Sequence, residues 1–403
     1  FTRALNSFFK KPGLKEFKVN KPLKNFKVVI DKSVKSVRPF TACAIVKNIS
    51  FNDDLIKEVI EIQEKLHSGF GRNRKKVAIG IYPLEKIKLP ITFKALPPEE
   101  IKFQPLEFPK KINARQILSQ HPTGREYADL LSDYPVYPIF VDSDGEVLSM
   151  PPIINSHKTG KISESTKDVF IECSGHNLVF LKMALNMIVT NLAEMGGDIY
   201  SMDIVDKSSW TSPDLSPEKL AFSPDYINKN LGLNLSIKQI RGLLAKMGIG
   251  FLKSGSKCFA LVPPYRADVL HEIDLVEEVA IAYGYDKFVP EIPDISTIGK
   301  EDDFSILKRK ISSVLVGLNF LEVSTYHLST KDKQFKNLGV KEFIPKMIEV
   351  VDSKTENNIL RNSLFANSID VFSKNSDACY PQKIFEVGGV FFHDEKSVTG
   401  VGE

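Results

Sequence analysis

The fold is decided by residues 169–197, which read VFIECSGHNLVFLKMALNMIVTNLAEMGG. The first part, Val169–Ser174, is a short apolar run that predicts a strand. The second part, Asn177–Met195, is long and largely apolar but is interrupted by polar residues. It therefore predicts a buried helix and not a membrane span. Gly196-Gly197 ends this helix.

Further strands and one helix are predicted upstream of this segment. The helix is Asp54–His67, with apolar residues on one stripe and glycines after its end. The predicted strands are Ala42–Val46, Val77–Tyr82, Ile139–Val141 and Val147–Met150. We therefore expect residues 41–205 to form one α+β or α/β domain.

Two smaller units are expected downstream. Ser and Pro cluster at residues 208–217 and mark a boundary. A capping box of Ser236 and Gln239 begins a helix that Gly248 ends, and a second helix is predicted at Ile273–Tyr283. Prolines 290 and 293 and Gly299 mark a linker. The last unit has a predicted helix at Phe304–Leu318 and strand-like runs at Phe320–Tyr326, Met347–Val351 and Lys383–Phe392.

The composition is that of an ordinary globular protein. The 403 residues are 42% hydrophobic and 26% charged, which suits two to four domains and excludes a disordered, collagen-like or coiled-coil chain. The four cysteines are far apart and form no CxxC pair, which indicates a reducing compartment and argues against a structural zinc site. The first ten residues lack the apolar core of a secretory signal. Because the chain does not begin with Met, we expect a fragment.

Charge is distributed unevenly along the chain. Residues 1–40 contain nine Lys and two Arg but only Glu16 and Asp31, so they carry +9, while the whole chain carries +4. Such a basic segment either contacts a polyanion, because Lys and Arg release counterions from phosphates, or forms a solvated surface.

Two groups of polar residues have spacings that suit chemistry. On the strand Val169–Ser174, alternation places Glu172 and Ser174 on one face, where they either bind a polar ligand group or lie exposed. On the helix Asp54–His67, Gln63 borders the inward stripe, with Glu64 and Arg74 expected nearby. Polarity at the edge of a helix is the simpler explanation for Gln63 and is favoured by the sequence alone.

An acidic group lies near the start of the helix Ile273–Tyr283. Asp274, Glu277 and Glu278 share one helix face, and Asp268 precedes the helix. Hard oxygen ligands in this pattern suit Mg²⁺, but acidic residues also favour a helix N-terminus through its dipole. The sequence contains no Gly-rich phosphate loop, no HExxH and no GxSxG.

Several runs in order along the chain resemble the beta subunit of phenylalanyl-tRNA synthetase of the archaeal/eukaryotic type. They cover most of the chain from about Ala42 onward. The runs are IQEKLHSGFGRNRKKVAIG (62–80), MPPIINSHKTGKI (150–162), KDVFIECSGHN (167–177), VPPYRADVLHEIDLVEEVAIAYGYDKF (262–288), NNILRNSL (357–364) and KIFEVGGVF (383–391).

The resemblance implies an α+β multidomain fold. Residues 1–40 would be a basic N-terminal segment, 41–205 a mixed-sheet editing domain (B3/B4), and 213–294 a small helix-containing B5 domain. Residues 295–403 would begin a class II synthetase-like core built on an antiparallel sheet. The family acts in the cytoplasm as an α₂β₂ heterotetramer with tRNA(Phe), and its alpha subunit binds ATP and activates phenylalanine.

The resemblance also implies roles for individual residues. The editing domain would hydrolyse misacylated Tyr-tRNA(Phe), because a pocket for phenylalanine cannot fully reject tyrosine. Substrate recognition would fall to Phe140, Ser149, Glu172 and Ser174. The catalytic roles would fall to Gln63, Glu64, Arg74 and Asn155, with no evident nucleophile. Asp268, Asp274, Glu277 and Glu278 match positions associated with Mg²⁺ at the contact with the alpha subunit.

One departure from the family pattern leaves a second hypothesis open. Where the family often has Thr-Gly-Thr-Asp, this chain reads Ser174-Gly175-His176-Asn177, so a carboxylate is missing at residue 177. On that basis the chain would be a non-catalytic subunit that binds tRNA and assembles the complex with a degenerate editing pocket. A third hypothesis is a free-standing hydrolase outside translation.

Overall fold

The computed structural model describes residues 1–206, 208–292, 298–340 and 347–403. The chain forms two compact units, Phe1–Pro290 and Glu291–Glu403. The predicted domain boundary at residues 294–295 and Pro293 of the predicted linker lie outside the described residues.

The first unit contains the following strands and helices. The strands are β1 (Val19–Asn20), β2 (Lys27–Ile30), β3 (Phe40–Lys47), β4 (Val77–Pro83), β5 (Ile91–Leu96), β6 (Lys102–Phe103), β7 (Ile112–Asn113), β8 (Tyr137–Val141), β9 (Val147–Met150), β10 (Ile154–Asn155), β11 (Val169–Gly175), β12 (Asp198–Val205), β13 (Ser209–Ser212), β14 (Glu218–Phe222), β15 (Gly250–Ser254) and β16 (Lys257–Val262). The helices are α1 (Thr2–Phe9), α2 (Asp53–Ser68), α3 (Ala114–Gln120), α4 (Pro122–Glu126), α5 (Leu178–Glu194), α6 (Pro224–Leu231), α7 (Ile237–Lys246) and α8 (Glu272–Tyr283).

A large mixed sheet organises this unit. Its strands lie in the order β10-β9-β8-β5-β2-β12-β3-β11-β4, with β1 and β13 also paired to β12. Strand β2 runs parallel to both β5 and β12, whereas β11 is antiparallel to both β3 and β4. The predicted mixed sheet is therefore present, and β11 lies inside it with a neighbour on each side.

Helices cover this sheet, and a core lies on each of its faces. On one face, Ile171 and Cys173 of β11 join a core that contains Leu181 and Leu185 of the long apolar helix α5. On the other face, Phe170 of β11 joins a core with Tyr82 of β4. The predicted alternation along β11 is confirmed, but neither face of this strand is exposed.

The basic segment 1–40 is part of this unit. Strands β1 and β2 pair with β12, and Phe26, Val28 and Val34 of this segment are buried in the core. The predicted boundary at residue 40 falls between β2 and β3, which belong to the same sheet. Apolar residues lie between the lysines of this segment, and burying them outweighs the high local charge.

A smaller sheet follows, in the order β14-β16-β15. Helices α6, α7 and α8 supply Ile227, Ile240, Leu244 and Leu275 to the core against it. The predicted helix at Ser236 is confirmed, since Ser236 caps α7 and forms the capping box with Gln239.

The second unit contains helices α9 (Asp303–Gly317), α10 (Lys331–Gln334) and α11 (Leu364–Lys374). Its strands are β17 (Leu321–Glu322), β18 (Leu328–Ser329), β19 (Ile359–Leu360), β20 (Ile384–Phe385), β21 (Phe392–His393) and β22 (Val401–Gly402). They pair two by two, and β17 is parallel to β20. Among the described residues 298–340 and 347–403, the strands form no larger antiparallel sheet. The class II synthetase-like core therefore stays a prediction.

None of the helices formed by the described residues is long and apolar enough to span a bilayer. All four cysteines are free: Cys43, Cys173 and Cys258 are buried, and Cys379 is exposed.

Candidate functional site

A buried tyrosine connects two of the predicted site residues. The hydroxyl of Tyr82 lies 3.1 Å from Oε1 of Glu172 and 3.2 Å from Oδ1 of Asn155. Glu172 comes from β11 and Tyr82 from the neighbouring β4, whereas Asn155 comes from β10. Strands β4 and β10 are the two ends of the strand order, so this contact joins the ends of the sheet.

Glu172 lies in a fully enclosed environment, and only 1% of it is exposed. Burial raises its pKa to about 8, against the lowering effect of the Arg38 charge and the Tyr82 hydroxyl. Arg38 is itself buried, and its Nε and Nη2 donate to Oγ and O of Ser174 at 3.1 and 2.6 Å. A buried cation therefore contacts Ser174, two residues after Glu172 on β11.

The space for Tyr82 depends on a glycine. Gly80 pairs with Glu172 across β4 and β11, and its missing side chain leaves room for the Tyr82 hydroxyl. A Cβ at residue 80 would lie 2.6 Å from Oε1 of Glu172. Glycine inside a strand often marks such a close approach.

A second cluster of polar residues lies where α2 meets the loop before β4. Nε2 of Gln63 donates to the carbonyl of Ile79 at 2.7 Å. Buried His67 accepts from the amide of Ile79 at Nε2, so its Nδ1 carries the proton and donates to Glu64 at 3.1 Å. This hydrogen bond, with the charge of Arg74, holds the pKa of Glu64 below its ordinary value.

Arg74 connects this cluster to the segment that carries Asn155. Its Nη2 lies 3.1 Å from Oε1 of Glu64, and its Nη1 donates to the carbonyl of Ile153 at 2.9 Å. Its guanidinium stacks on the ring of Tyr127 at 4.4 Å. Arg72, Asn73 and Arg74 all have left-handed backbone angles, with φ of 49°, 51° and 64°. Such angles cost energy for residues other than glycine and tend to occur at functional sites.

Phe140 and Ser149 lie opposite each other on β8 and β9. Phe140 is fully buried and stacks on Phe93 with 4.3 Å between ring centroids, so it forms an apolar wall. Ser149 also pairs with Asn155 across β9 and β10. In the described part of the chain, Oγ of Ser149 and Oε2 of Glu172 are buried without a hydrogen-bond partner. Unpaired buried polar atoms of this kind are the groups that a polar ligand or water would satisfy.

The structure thus links several of the residues assigned to the editing site. Tyr82 contacts both Glu172 and Asn155, and two residues before Asn155 the carbonyl of Ile153 accepts from Arg74, which pairs with Glu64. Gln63 and His67 join this group of contacts through Ile79. Their individual roles stay predictions.

The four acidic residues near α8 do not converge on one point. Arg266 holds Asp268 at 2.7 Å and Glu278 at 2.5 Å, and Asp274 accepts from the amides of Leu270 and His271 at the helix start. Glu277 is exposed. Among residues 1–206, 208–292, 298–340 and 347–403, no three acidic, His or Cys side chains form a metal-binding group. In this arrangement Arg266 pairs with two of the carboxylates, so they are not directed together at a common point. Mg²⁺ binding by this group stays a prediction.

Asn177 has a different position from the one that sequence reasoning assumed. Its Oδ1 accepts from the amides of Val179 and Phe180, so it caps the N-terminus of α5. Asparagine and aspartate both serve well at that position. Residue 177 therefore has a structural role at the start of α5, and the hypothesis of a degenerate pocket stays open.

Sequence reasoning missed Tyr82, Gly80 and Arg38. The signal for the first two is a glycine followed two residues later by a tyrosine in an otherwise apolar strand, since a buried tyrosine hydroxyl needs a partner. Arg38 looked like one more charge of the basic segment, and nothing local marks it as buried.

Comparison with known proteins defines the class of the chain. Residues 220–285 match the family described as tRNA synthetase B5 domain, and residues 289–403 match the phenylalanyl tRNA synthetase beta chain CLM domain. The chain is similar to the crystal structure of an N-terminal fragment of the phenylalanyl-tRNA synthetase beta-subunit from Pyrococcus horikoshii. The TM-score is 0.65 and the identity 41%, over 68% of this chain and 78% of that one.

Two further relatives give the same result. The phenylalanine–tRNA ligase beta subunit of Pyrococcus abyssi is 38% identical over 96% of this chain and 69% of its own length. That of Methanococcus maripaludis is 37% identical over 95% of this chain and 68% of its own. The chain belongs to the family of phenylalanine–tRNA ligase beta subunits, which are components of an aminoacyl-tRNA synthetase. This bears out the resemblance found in the sequence.

Proposed function

We propose that the cluster around Tyr82 is an editing site that hydrolyses tyrosine from misacylated Tyr-tRNA(Phe). The observation that carries the proposal is the pair of buried, unpaired oxygens, Ser149 Oγ and Glu172 Oε2, beside the apolar wall of Phe140. A tyrosine side chain offers an apolar ring and one hydroxyl, which complement these groups. With phenylalanine both oxygens stay unpaired, which costs binding energy.

The hydrolytic step is assigned to water oriented by polar side chains. Asn155 has its Oδ1 bound to Tyr82, so its Nδ2 is the group left to bind the substrate ester. Glu64 and Gln63 are acceptor and donor groups on the adjoining helix, and Arg74 provides a positive charge for the 3′ end of the tRNA. Cys43 and Cys173 are buried within the sheet, where burial raises the pKa of both thiols, so neither suits a nucleophile.

We also propose the subunit arrangement of the family for this chain. The partner would be the alpha subunit in an α₂β₂ heterotetramer in the cytoplasm, and ATP would bind to the alpha subunit. The support within this chain is an apolar stripe on α9. Phe304, Leu307, Ile311 and Val314 of α9, and Leu318 directly after it, are 41–63% exposed, and no residue of α9 within the described ranges is buried. Mg²⁺ binding stays a prediction and would require Arg266 to release Asp268 and Glu278.

Deacylation of Tyr-tRNA(Phe) by single-residue variants tests the editing proposal. Asn155→Ala should lower the hydrolysis rate about a hundredfold, since it removes a donor to the ester. Glu172→Ala should lower it about tenfold or more, since the phenol loses its partner. His157→Ala changes an exposed neighbour in the same loop and should leave the rate unchanged. No hydrolysis by the parent chain would refute the editing activity but not the family membership.

A further inference from the structure

The hydroxyl of Tyr82 has two hydrogen-bond partners but only one proton. It lies 3.1 Å from Oε1 of Glu172 and 3.2 Å from Oδ1 of Asn155. An ionised carboxylate and an amide carbonyl are both acceptors only, so Tyr82 can donate to just one of them. The second hydrogen bond therefore needs a proton from another member of the trio.

The surroundings of Glu172 favour Glu172 as the source of that proton. The charged and titratable groups near it are Arg38, Tyr82, Cys43 and Cys173. The donors of Arg38 are directed to Ser174 and do not form an ion pair with Glu172. Burial raises the pKa of Glu172 to about 8 and keeps Tyr82 and Cys43 neutral at neutral pH. A neutral carboxyl group is one donor and one acceptor.

We propose that Glu172 acts as a neutral acid that donates to Tyr82 Oη, and that Tyr82 in turn donates to Oδ1 of Asn155. This inference deepens the proposed editing function and rests on it. Tyr82 is then a positioning residue. It fixes the orientation of the Glu172 carboxyl group and of the Asn155 amide at once, and thereby links recognition of the side chain to the site of hydrolysis.

The direction of these hydrogen bonds determines what the pocket accepts. With its proton on Oε1, Glu172 presents Oε2 as an acceptor, and the neighbouring Ser149 hydroxyl is available as a donor. Together they match a single phenolic hydroxyl, which donates one hydrogen bond and accepts another. Gly80 keeps this arrangement possible, because any side chain there would displace the Tyr82 hydroxyl.

Replacing Glu172 with glutamine distinguishes a neutral carboxyl group from an ionised carboxylate at this residue. Its amide supplies one acceptor and a donor in nearly the same shape as a protonated carboxyl group, whereas it cannot replace a negative charge. The test uses the whole chain and two probes that cannot be hydrolysed, adenosine carrying tyrosine or phenylalanine on its 3′ position through an amide. Calorimetry at neutral pH gives the preference for the tyrosyl probe.

We expect Glu172→Gln to keep this preference within about threefold of the parent, and Tyr82→Phe to reduce it about tenfold, the value of one lost hydrogen bond. Tyr137→Phe removes another buried phenol of the same sheet, outside the site, and should keep the preference. Loss of preference in Glu172→Gln would overturn the neutral acid. An unchanged preference in Tyr82→Phe would overturn its positioning role.

The two proposals fail in different ways. A parent chain that prefers the tyrosyl probe but releases no tyrosine from Tyr-tRNA(Phe) would refute editing, while the variants still decide the state of Glu172. A parent with no preference between the probes would refute both proposals. If Tyr82→Phe does not fold, Glu172→Gln decides the neutral acid alone.

Discussion

At the scale of single residues, the site depends on polar groups that are deeply buried within a sheet. Glu172, Ser174 and Arg38 are each 3% exposed or less. Burying such groups is costly unless they are hydrogen-bonded, and the hydrogen bonds between Arg38 and Ser174 and between Tyr82 and Glu172 offset that cost. The groups that stay unpaired, Ser149 Oγ and Glu172 Oε2, then mark where a ligand fits.

The buried carboxyl group should make the stability of the chain depend on pH. Because the folded pKa of Glu172 is about 8 and its ordinary value is 4.5, the folded chain binds more protons than the unfolded chain between these values. The free energy of unfolding should therefore fall as pH rises through this interval, by up to about 1.4 kcal/mol per pH unit. Urea unfolding should show that the free energy of unfolding falls less with rising pH in Glu172→Gln than in the parent chain. If the free energy of unfolding depends on pH equally in the two chains, Glu172 is ionised in the folded state.

A methyl group at residue 80 should disturb the site directly. Gly80→Ala places Cβ 2.6 Å from Oε1 of Glu172. It should lower the free energy of unfolding by about 1–3 kcal/mol, because a close-packed core cannot accommodate an added methyl group without strain. It should also abolish most of the hydrolysis of Tyr-tRNA(Phe). Gly242→Ala is the matched control, because a Cβ there meets nothing within 4 Å. A Gly80→Ala chain with the stability and activity of the parent would contradict the described contact.

At the scale of elements, the predictions that succeeded rest on local signals. The limits of β9 agree with the predicted Val147–Met150, and α7 has the predicted capping box. Strands β2 and β12 were missed because Lys27 and Asp203, which lie opposite each other in the sheet, break the apolar pattern. The predicted strand at 347–351 is reduced to a single bridge at Glu349. Two-residue strands such as β10 have no sequence pattern of their own.

The turn at residues 72–74 should tolerate only residues that accept left-handed backbone angles. Asn73 has φ of 51° and an exposed side chain, so its replacement tests the backbone alone. Asn73→Val should destabilise the chain by about 1–2 kcal/mol, and Asn73→Gly should be close to neutral. Thermal unfolding compares the two variants. Similar midpoints would show that the turn is not constrained.

At the scale of the whole molecule, the candidate site joins segments that are distant in the sequence. Arg38 precedes β3, Tyr82 and Glu172 lie on β4 and β11, and Asn155 comes from β10 at the far end of the strand order. The residue types in these segments could be predicted, but the closure of the sheet that brings Asn155 to Tyr82 could not. That contact depends on the curvature of many strands together, and no local pattern encodes it.

The apolar stripe on α9 is a property of the second unit that matters for assembly. Ile311→Glu places a charge within the stripe and should reduce copurification with the alpha subunit at least tenfold, since burying an unpaired charge is costly. Ser313→Glu adds the same charge at an exposed residue outside the stripe and should leave copurification unchanged. Equal recovery of the alpha subunit with both variants would exclude α9 from the contact.

The most direct test of the central claim is the rate at which the parent chain releases the amino acid from Tyr-tRNA(Phe) and from Phe-tRNA(Phe) under the same conditions. The account predicts rapid release of tyrosine and at least about tenfold slower release of phenylalanine, because only tyrosine pairs with Glu172 and Ser149. Release of both amino acids at the same rate, or of neither, would contradict it.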